Sequence, residues 1–185
     1  MGYKNSIDSA TLANKCLEII EAHYLFNTSF NKLNIVIHPE ALIHSIIEYS
    51  NNTSVMNYFY NDMFIPLFNF FSSLKKPSNF QNIDKFKFNN NSQLNFLKVD
   101  IKKFPITKIF NELDKNMPTN IIKFNLANEF AVNLFINNKI KFWEIHKYIE
   151  NSLTINFNFS TNSINSIIEF QREYNKVLSY KYEYL

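Results

Sequence analysis

Four polar side chains crowd the start of the chain: Ser9, Asn14, Lys15 and Glu18 fall within ten residues of one another in "SIDSATLANKCLEIIEAHYLF", residues 6–26. Helical positions three and four apart share a face, so the tips of Asn14, Lys15 and Glu18 emerge side by side. Serine hydroxyl, asparagine amide and lysine ammonium all donate hydrogen bonds to phosphate oxygens, whereas a glutamate offers a hard oxygen to Mg2+ or Mn2+. With Ser9 placed at the positive end of a helix, where free backbone N–H groups attract anions, the set reads as a phosphate-and-metal corner. A plainer reading exists: Lys15 and Glu18 as a surface pair worth about 0.2–0.5 kcal/mol, and Ser9 as a helix cap. Spacing alone favours the plainer one.

These residues must be held by the elements around them. Asp8 or Ser9 reads as a cap, and Leu12, Cys16, Ile19, Ile20 and Leu25 recur at near-helical spacing, which predicts a helix over 10–26. "LNIVIH", residues 33–38, is β-branched and closed by Pro39, the pattern of a buried strand. Alternation on both sides of Asn51 and Asn52 predicts a hairpin from about Ile43 to Phe59, the asparagines tolerating the positive φ of a tight turn. Beyond Pro66 the pattern turns irregular, and the polar run 75–93 is the expected linker. From Pro105 onward apolar residues recur with helical period, predicting a small helical bundle.

The 185 residues are 46% hydrophobic and 19% charged, enough for one large or two small domains with real cores. A net charge of +3 comes from scattered lysines, without a block dense enough to follow a phosphate backbone, which argues against nucleic acid. No run approaches the roughly 20 apolar residues of a membrane span, and the start lacks a basic region followed by an apolar signal. The single Cys16 offers neither a disulfide framework nor a cysteine zinc site, and a reducing compartment, the cytoplasm, is expected. Twenty Phe, ten Tyr and many Asn, Ile and Lys, against one Gly, share A/T-rich codons. We attribute this to a drifting genome, such as that of an endosymbiont or a plastid-bearing parasite; balanced codon usage in the gene would remove the idea.

"MGYKNSIDSATLANKCLEIIEAHYLF", residues 1–26, resembles the 1-deoxy-D-xylulose 5-phosphate reductoisomerase family, whose pattern there runs roughly M-G-x-K-x-[ST]-[VI]-D-S-A-T-M-x-N-K-G-L-E-x-I-E-A-x-x-L-F. The likeness continues in "VIHPEALIHSIIEY" (36–49), "NDMFIPL" (61–67), "KFPITKI" (103–109) and "FNLANEFAVNLFINNKIKFWEI" (124–145), in order, to about residue 150. The resemblance implies an NADPH- and divalent-metal-dependent rearrangement and reduction of a phosphosugar to 2-C-methyl-D-erythritol 4-phosphate, in isoprenoid synthesis. It implies that Ser9, Asn14 and Lys15 hold the substrate phosphate, that Glu18 binds metal (Mg2+ or Mn2+) and substrate as the catalytic residue, and that the Gly2 backbone approaches NADPH. The implied fold is α+β: residues 1–74 as the second half of an α/β catalytic domain with a β-hairpin, 75–93 as linker, and 94–185 as the C-terminal helical domain.

The same resemblance implies that the cofactor domain and two earlier acidic metal ligands are not in this stretch. The chain is then a piece of a longer enzyme, a subunit completed by a separately encoded N-terminal half or a second copy, or a remnant that retains the fold as a protein-interaction module. A bacterial or endosymbiont cytoplasm is implied, with a plastid as the alternative. Cys16 stands where the family prefers glycine, Ala41 where it has serine and Phe64 where it has arginine. His38 and His44, six apart, are expected to be structural rather than metal ligands. Asn125, Asn128 and Glu129 either cap a helix start or brace the helical domain against the site. Phe124, Phe130, Phe135, Phe142 and Trp143 are expected in the core rather than as a base-stacking platform.

Overall fold

The computed structural model describes residues 2–62, 64–74, 93–157 and 159–182. Contacts gather these into two compact units, Met1–Ile35 with Val99–Leu185, and Val36–Lys98. The division falls differently from the one expected at 74 and 94, because the first helices pack with the C-terminal helices. The expected linker, 75–93, lies almost wholly outside the described residues.

In the first unit, α1 (Tyr3–Thr11) and α2 (Ala13–Phe26) are separated by Leu12, which sits in the left-handed region with φ 61. The single helix expected over 10–26 is therefore two helices joined at a corner. Asp8 and Ser9 lie inside α1 and cap nothing; Gly2 precedes α1 and Leu12 precedes α2, neither with a side-chain cap. After a 3-10 turn at Phe30–Lys32, the chain re-enters this unit as α4 (Pro105–Glu112), α5 (Pro118–Ile136), α6 (Ile145–Leu153) and α7 (Ile164–Lys181). Proline opens α4 and α5, where its missing N–H costs nothing.

Helix α5 is apolar around much of its girth because it is packed on two sides. One side, with Phe124, Ala127 and Ala131 fully buried, joins Ala13 and Cys16 of α2, Ile106 and Phe110 of α4, and Ile145 and Ile149 of α6. The other, through Leu126, meets Phe170, Tyr174 and Leu178 of α7. Polar tethers close the gaps: the Tyr174 hydroxyl donates to the Ser152 carbonyl at 2.7 Å, and the Lys181 ammonium to the Asn151 carbonyl at 2.7 Å. Of the five aromatics expected in the core, Phe124 is buried, and Phe130 and Phe135 are partly so. Phe142 and Trp143 are exposed, because they lie on a 3-10 turn (Phe142–Glu144) outside the helical period, with Lys141 over the Trp143 ring.

The second unit holds two two-stranded antiparallel sheets and a helix. Strand β1 (Val36–Ile37) pairs with β4 (Leu97–Lys98), and β2 (Ile43–Glu48) with β3 (Ser54–Tyr58). The expected hairpin is present, and Asn52 takes φ 63 at its tip. The expected buried strand is only two residues long and half-exposed at Val36, since β4 offers just two partners. Beyond the hairpin the sequence hides a helix, α3 (Phe64–Leu74). Pro66 sits in its first turn, where it breaks no hydrogen bond, and the Asp62 carboxylate accepts the Phe64 N–H at 2.9 Å.

The β1–β4 pair is clasped by Glu40, which accepts from both the backbone and side chain of Asn95, while the His38 Nδ1 lies 2.8 Å from the Asn95 carbonyl and 3.0 Å from Glu40. The Asn95 side chain above all holds the Glu40 carboxyl below its ordinary 4.5; burial opposes it, and the Asn95 backbone N–H adds to the lowering. A carboxyl depressed on folding stabilises the fold above its ordinary value, and that contribution is lost as pH falls through the folded value. We expect the amide resonances of Asn95 to Lys98 to broaden or shift below pH 4.5, with Glu40→Gln removing the pH dependence.

Left-handed backbone recurs without glycine: Leu12, Asn27, Ala41, Asn52 and Asn138 all have positive φ, and the sole glycine, Gly2, does not. Among the described residues no helix is long and apolar enough to cross a membrane.

Candidate functional site

Asn14, Lys15 and Glu18 all lie on α2, and Ser9 lies on α1 across the corner at Leu12. The Leu12 N–H donates to the Ser9 carbonyl, closing α1, and the chain then turns so that the first N–H groups of α2 begin a fresh helix at Ala13. The Thr11 hydroxyl bridges the turn, donating to the Asp8 carbonyl at 3.3 Å and accepting from the Ala13 N–H at 3.4 Å.

One turn into α2 the three polar tips converge. Asn14 Nδ2 donates to Glu18 Oε1 at 2.5 Å, and Lys15 Nζ donates to both carboxylate oxygens at 2.9 and 2.8 Å. The Lys15 and Glu18 side chains are 49% and 45% exposed, so the pair adds no more than about 0.3–0.5 kcal/mol to stability and is easily exchanged for another partner. Ser9 is exposed on α1, one residue past the buried Asp8, and stands outside the Glu18 network. Gly2, with φ −67, would meet nothing within 4 Å if it carried a Cβ, so this chain's own packing does not ask for glycine there.

The face opposite the polar tips anchors α2. Ala13 and Cys16 are fully buried against α4, α5 and α6, and burial pushes the Cys16 thiol up to about 12, leaving a packing group without thiolate character. His23, further along α2, lines a separate open cavity of about 450 Å³ with Ser29, Phe30, Leu113, Asp114 and Lys115; none of the four expected residues borders it.

Among the described residues no three of the types that bind metals gather in one place. His38 belongs to the clasp, and His44 stacks on Phe59 at 3.8 Å with its Nδ1 3.0 Å from the Leu42 carbonyl. Of the trio 125, 128 and 129, none lies at a helix start: all fall in mid-α5. Asn128 alone is buried, and it reaches Asp8. Asp8 is no cap; the sequence signal that sets it apart is Lys4, four residues earlier, whose ammonium lies 2.7 Å away.

A family profile described as the DXP reductoisomerase C-terminal domain matches residues 60–177, and one described as the 1-deoxy-D-xylulose 5-phosphate reductoisomerase C-terminal domain matches residues 1–26. The chain belongs to the 1-deoxy-D-xylulose 5-phosphate reductoisomerase family. Among curated reductoisomerases, that of Sulfurihydrogenibium is 40% identical over 90% of this chain and 43% of its own length, and that of Clostridium novyi 35% identical over 100% and 47%. The chain thus spans about half the length of the curated reductoisomerases it matches. Among solved structures, the Zymomonas mobilis reductoisomerase in complex with NADPH superposes with a TM-score of 0.83 at 30% identity, covering 97% of this chain and 47% of that one. A reductoisomerase in complex with NADPH, fosmidomycin and magnesium gives 0.79 at 29%, covering 98% and 46%.

Measured against the reductoisomerase pattern, the departures fall in different settings. Of the three positions at which the resemblance implies a departure, Cys16 lies inside a dry core, Phe64 at the exposed start of α3, and Ala41 at a left-handed position with φ 52.

Proposed function

We propose that this chain is the C-terminal portion of a 1-deoxy-D-xylulose 5-phosphate reductoisomerase and carries the phosphate-holding part of its active site. The observation that supports this most is the convergence of Asn14 and Lys15 on Glu18 in the first turns of α2, beside the corner that carries Ser9.

In this reading Lys15 leaves Glu18 for the substrate phosphate, where its ammonium, the Ser9 hydroxyl, the Asn14 amide and the first N–H groups of α2 supply donors and positive potential. An anchored phosphate fixes the rest of the sugar and supplies orientation energy. Glu18, released from Lys15, turns a carboxylate toward the substrate end of the corner. A divalent ion would supply Lewis-acid polarisation of substrate oxygens, and Glu18 is the ligand this chain would contribute to it. One carboxylate does not make a Mg2+ or Mn2+ site, so the remaining ligands must come from outside these residues. The same holds for NADPH: a chain whose one glycine is Gly2 has no glycine-rich dinucleotide turn. Activity therefore belongs to the chain completed by an N-terminal half, and the cytoplasm is its expected place, with a plastid as the alternative.

Exposed apolar surface on the Val36–Lys98 unit supports such completion. The hairpin carries Ile46 opposite Met56 and Ile47 opposite Val55, pairs that face opposite sides of the sheet, and all four are exposed. An isolated two-stranded hairpin is marginal in water. On α3, Phe64, Leu67, Phe70 and Phe71 are also exposed. The same surface serves a second reading, a non-catalytic module that binds a protein partner through this unit. A thermal shift with the phosphosugar separates the two, being expected only of a chain that retains the phosphate-holding residues.

The direct test is Lys15→Ala in the completed enzyme. Losing one charge-assisted contact to phosphate, worth about 1.5–3 kcal/mol, raises KM about 10–100-fold with kcat changed far less. An unchanged KM for the phosphosugar overturns the assignment.

A further inference from the structure

Asp8 is 1% exposed, held between the Lys4 ammonium at 2.7 Å and the side-chain amide of Asn128, which donates to Oδ1 at 2.9 Å from a position 120 residues away in α5. Asn128 is itself fully buried, and its own Oδ1 has no hydrogen-bond partner. A buried polar atom left unmatched is destabilising, and an apolar side chain of similar size would avoid that cost. The asparagine also satisfies the Asp8 carboxylate, which an apolar side chain would leave one donor short, so a stabilising role and a directional one are separated by experiment. What the asparagine supplies is a donor to a buried carboxylate, a directional contact that fixes the roll of α1 on α5 as apolar packing does not.

That roll has a destination. Asp8 directly precedes Ser9, its carbonyl accepts from Thr11, and Thr11 in turn holds the first N–H of α2. A rotation of α1 therefore displaces Ser9 relative to Asn14 and Lys15.

We propose that Asn128 is a positioning residue for the phosphate corner: acting through Asp8, it keeps Ser9 in register with the first turn of α2. The proposal rests on the phosphate reading above, and Asn128 itself does not touch the anion.

The full 185-residue chain is titrated with inorganic phosphate while the backbone amide resonances of Ser9, Asn14 and Lys15 are followed, at a temperature where every variant is folded; Tm is measured separately. Asn128→Leu is expected to weaken binding about tenfold, the lower end for outer contacts that orient a binding group. The exchange Asp8→Asn with Asn128→Asp keeps an amide–carboxylate hydrogen bond with its direction reversed, and is expected to regain most of the affinity. A merely stabilising pair would move Tm and leave the affinity of the folded protein alone. Equal affinities for wild type and Asn128→Leu therefore overturn the proposal, as does an exchange variant no tighter than the single one. Should Asn128→Leu fail to fold, Asn128→Ser, whose donor is drawn back from Asp8, is read in its place. Absence of any shift in the wild type overturns the phosphate reading first, and this proposal with it.

Discussion

Glu18→Gln in the completed enzyme is expected to lower kcat by about 10²–10³-fold, the loss seen when one preorganised electrostatic contact to a reacting centre is removed. Glutamine keeps the volume of glutamate and can still accept from Asn14, so the helix face survives. It cannot hold Lys15 by charge, nor offer an anionic oxygen to a divalent ion. Because Glu18 is 45% exposed and its pairing contributes little to stability, the fold should be unaffected, with Tm within about 1 °C of wild type. Steady-state kinetics with the phosphosugar and Mn2+, alongside a melting curve, separate the outcomes. Retained kcat would remove Glu18 from the reacting centre and leave a surface ion pair.

Phe124→Ala is expected to have the largest effect on folding. Its ring is fully buried in α5, 5.3 Å from that of Phe110, in the cluster where Ala13 and Cys16 of α2 are also buried. Truncating such a ring costs about 3–5 kcal/mol in lost transfer energy and cavity. For a chain of this size each kcal/mol is worth about 2–4 °C, so Tm should fall by about 6–20 °C. Because that core seats α2, the Asn14–Lys15–Glu18 face should lose its order in the same transition, visible as simultaneous collapse of their amide dispersion. A fall of less than about 3 °C would mean that the core closes over the missing ring.

What was legible in the sequence was what local chemistry fixes. The hairpin was readable because Asn51 and Asn52 interrupt two alternating runs, and the convergence of Asn14, Lys15 and Glu18 because helical spacing alone brings them together. The corner between them and Ser9 was not. Leucine rarely takes a left-handed φ, so nothing local marks Leu12 as a break, although Thr11 and Ala13 on either side of it are buried. Helix α3 was hidden by Pro66, which reads as a breaker unless its place in the first turn is known. The Asp8–Asn128 contact joins positions 120 residues apart, and no periodicity reports a partner at that distance. Phe142 and Trp143 misled because helical inward positions were extended over a 3-10 turn.

Five left-handed positions filled by leucine, alanine and asparagine have a bearing on how this lineage tolerates change. A side chain with a Cβ in that conformation costs roughly 1–2 kcal/mol, less for asparagine, and glycine would relieve it. A chain that places residues bearing a Cβ at such turns carries part of its folding strain there. Near a stability threshold, each later substitution acts on a smaller reserve, so mutational robustness is eroded before any functional residue is altered. Placing glycine at Asn27, Ala41, Asn52 and Asn138 would relieve that strain, and it leaves Ser9, Asn14, Lys15 and Glu18 as they are.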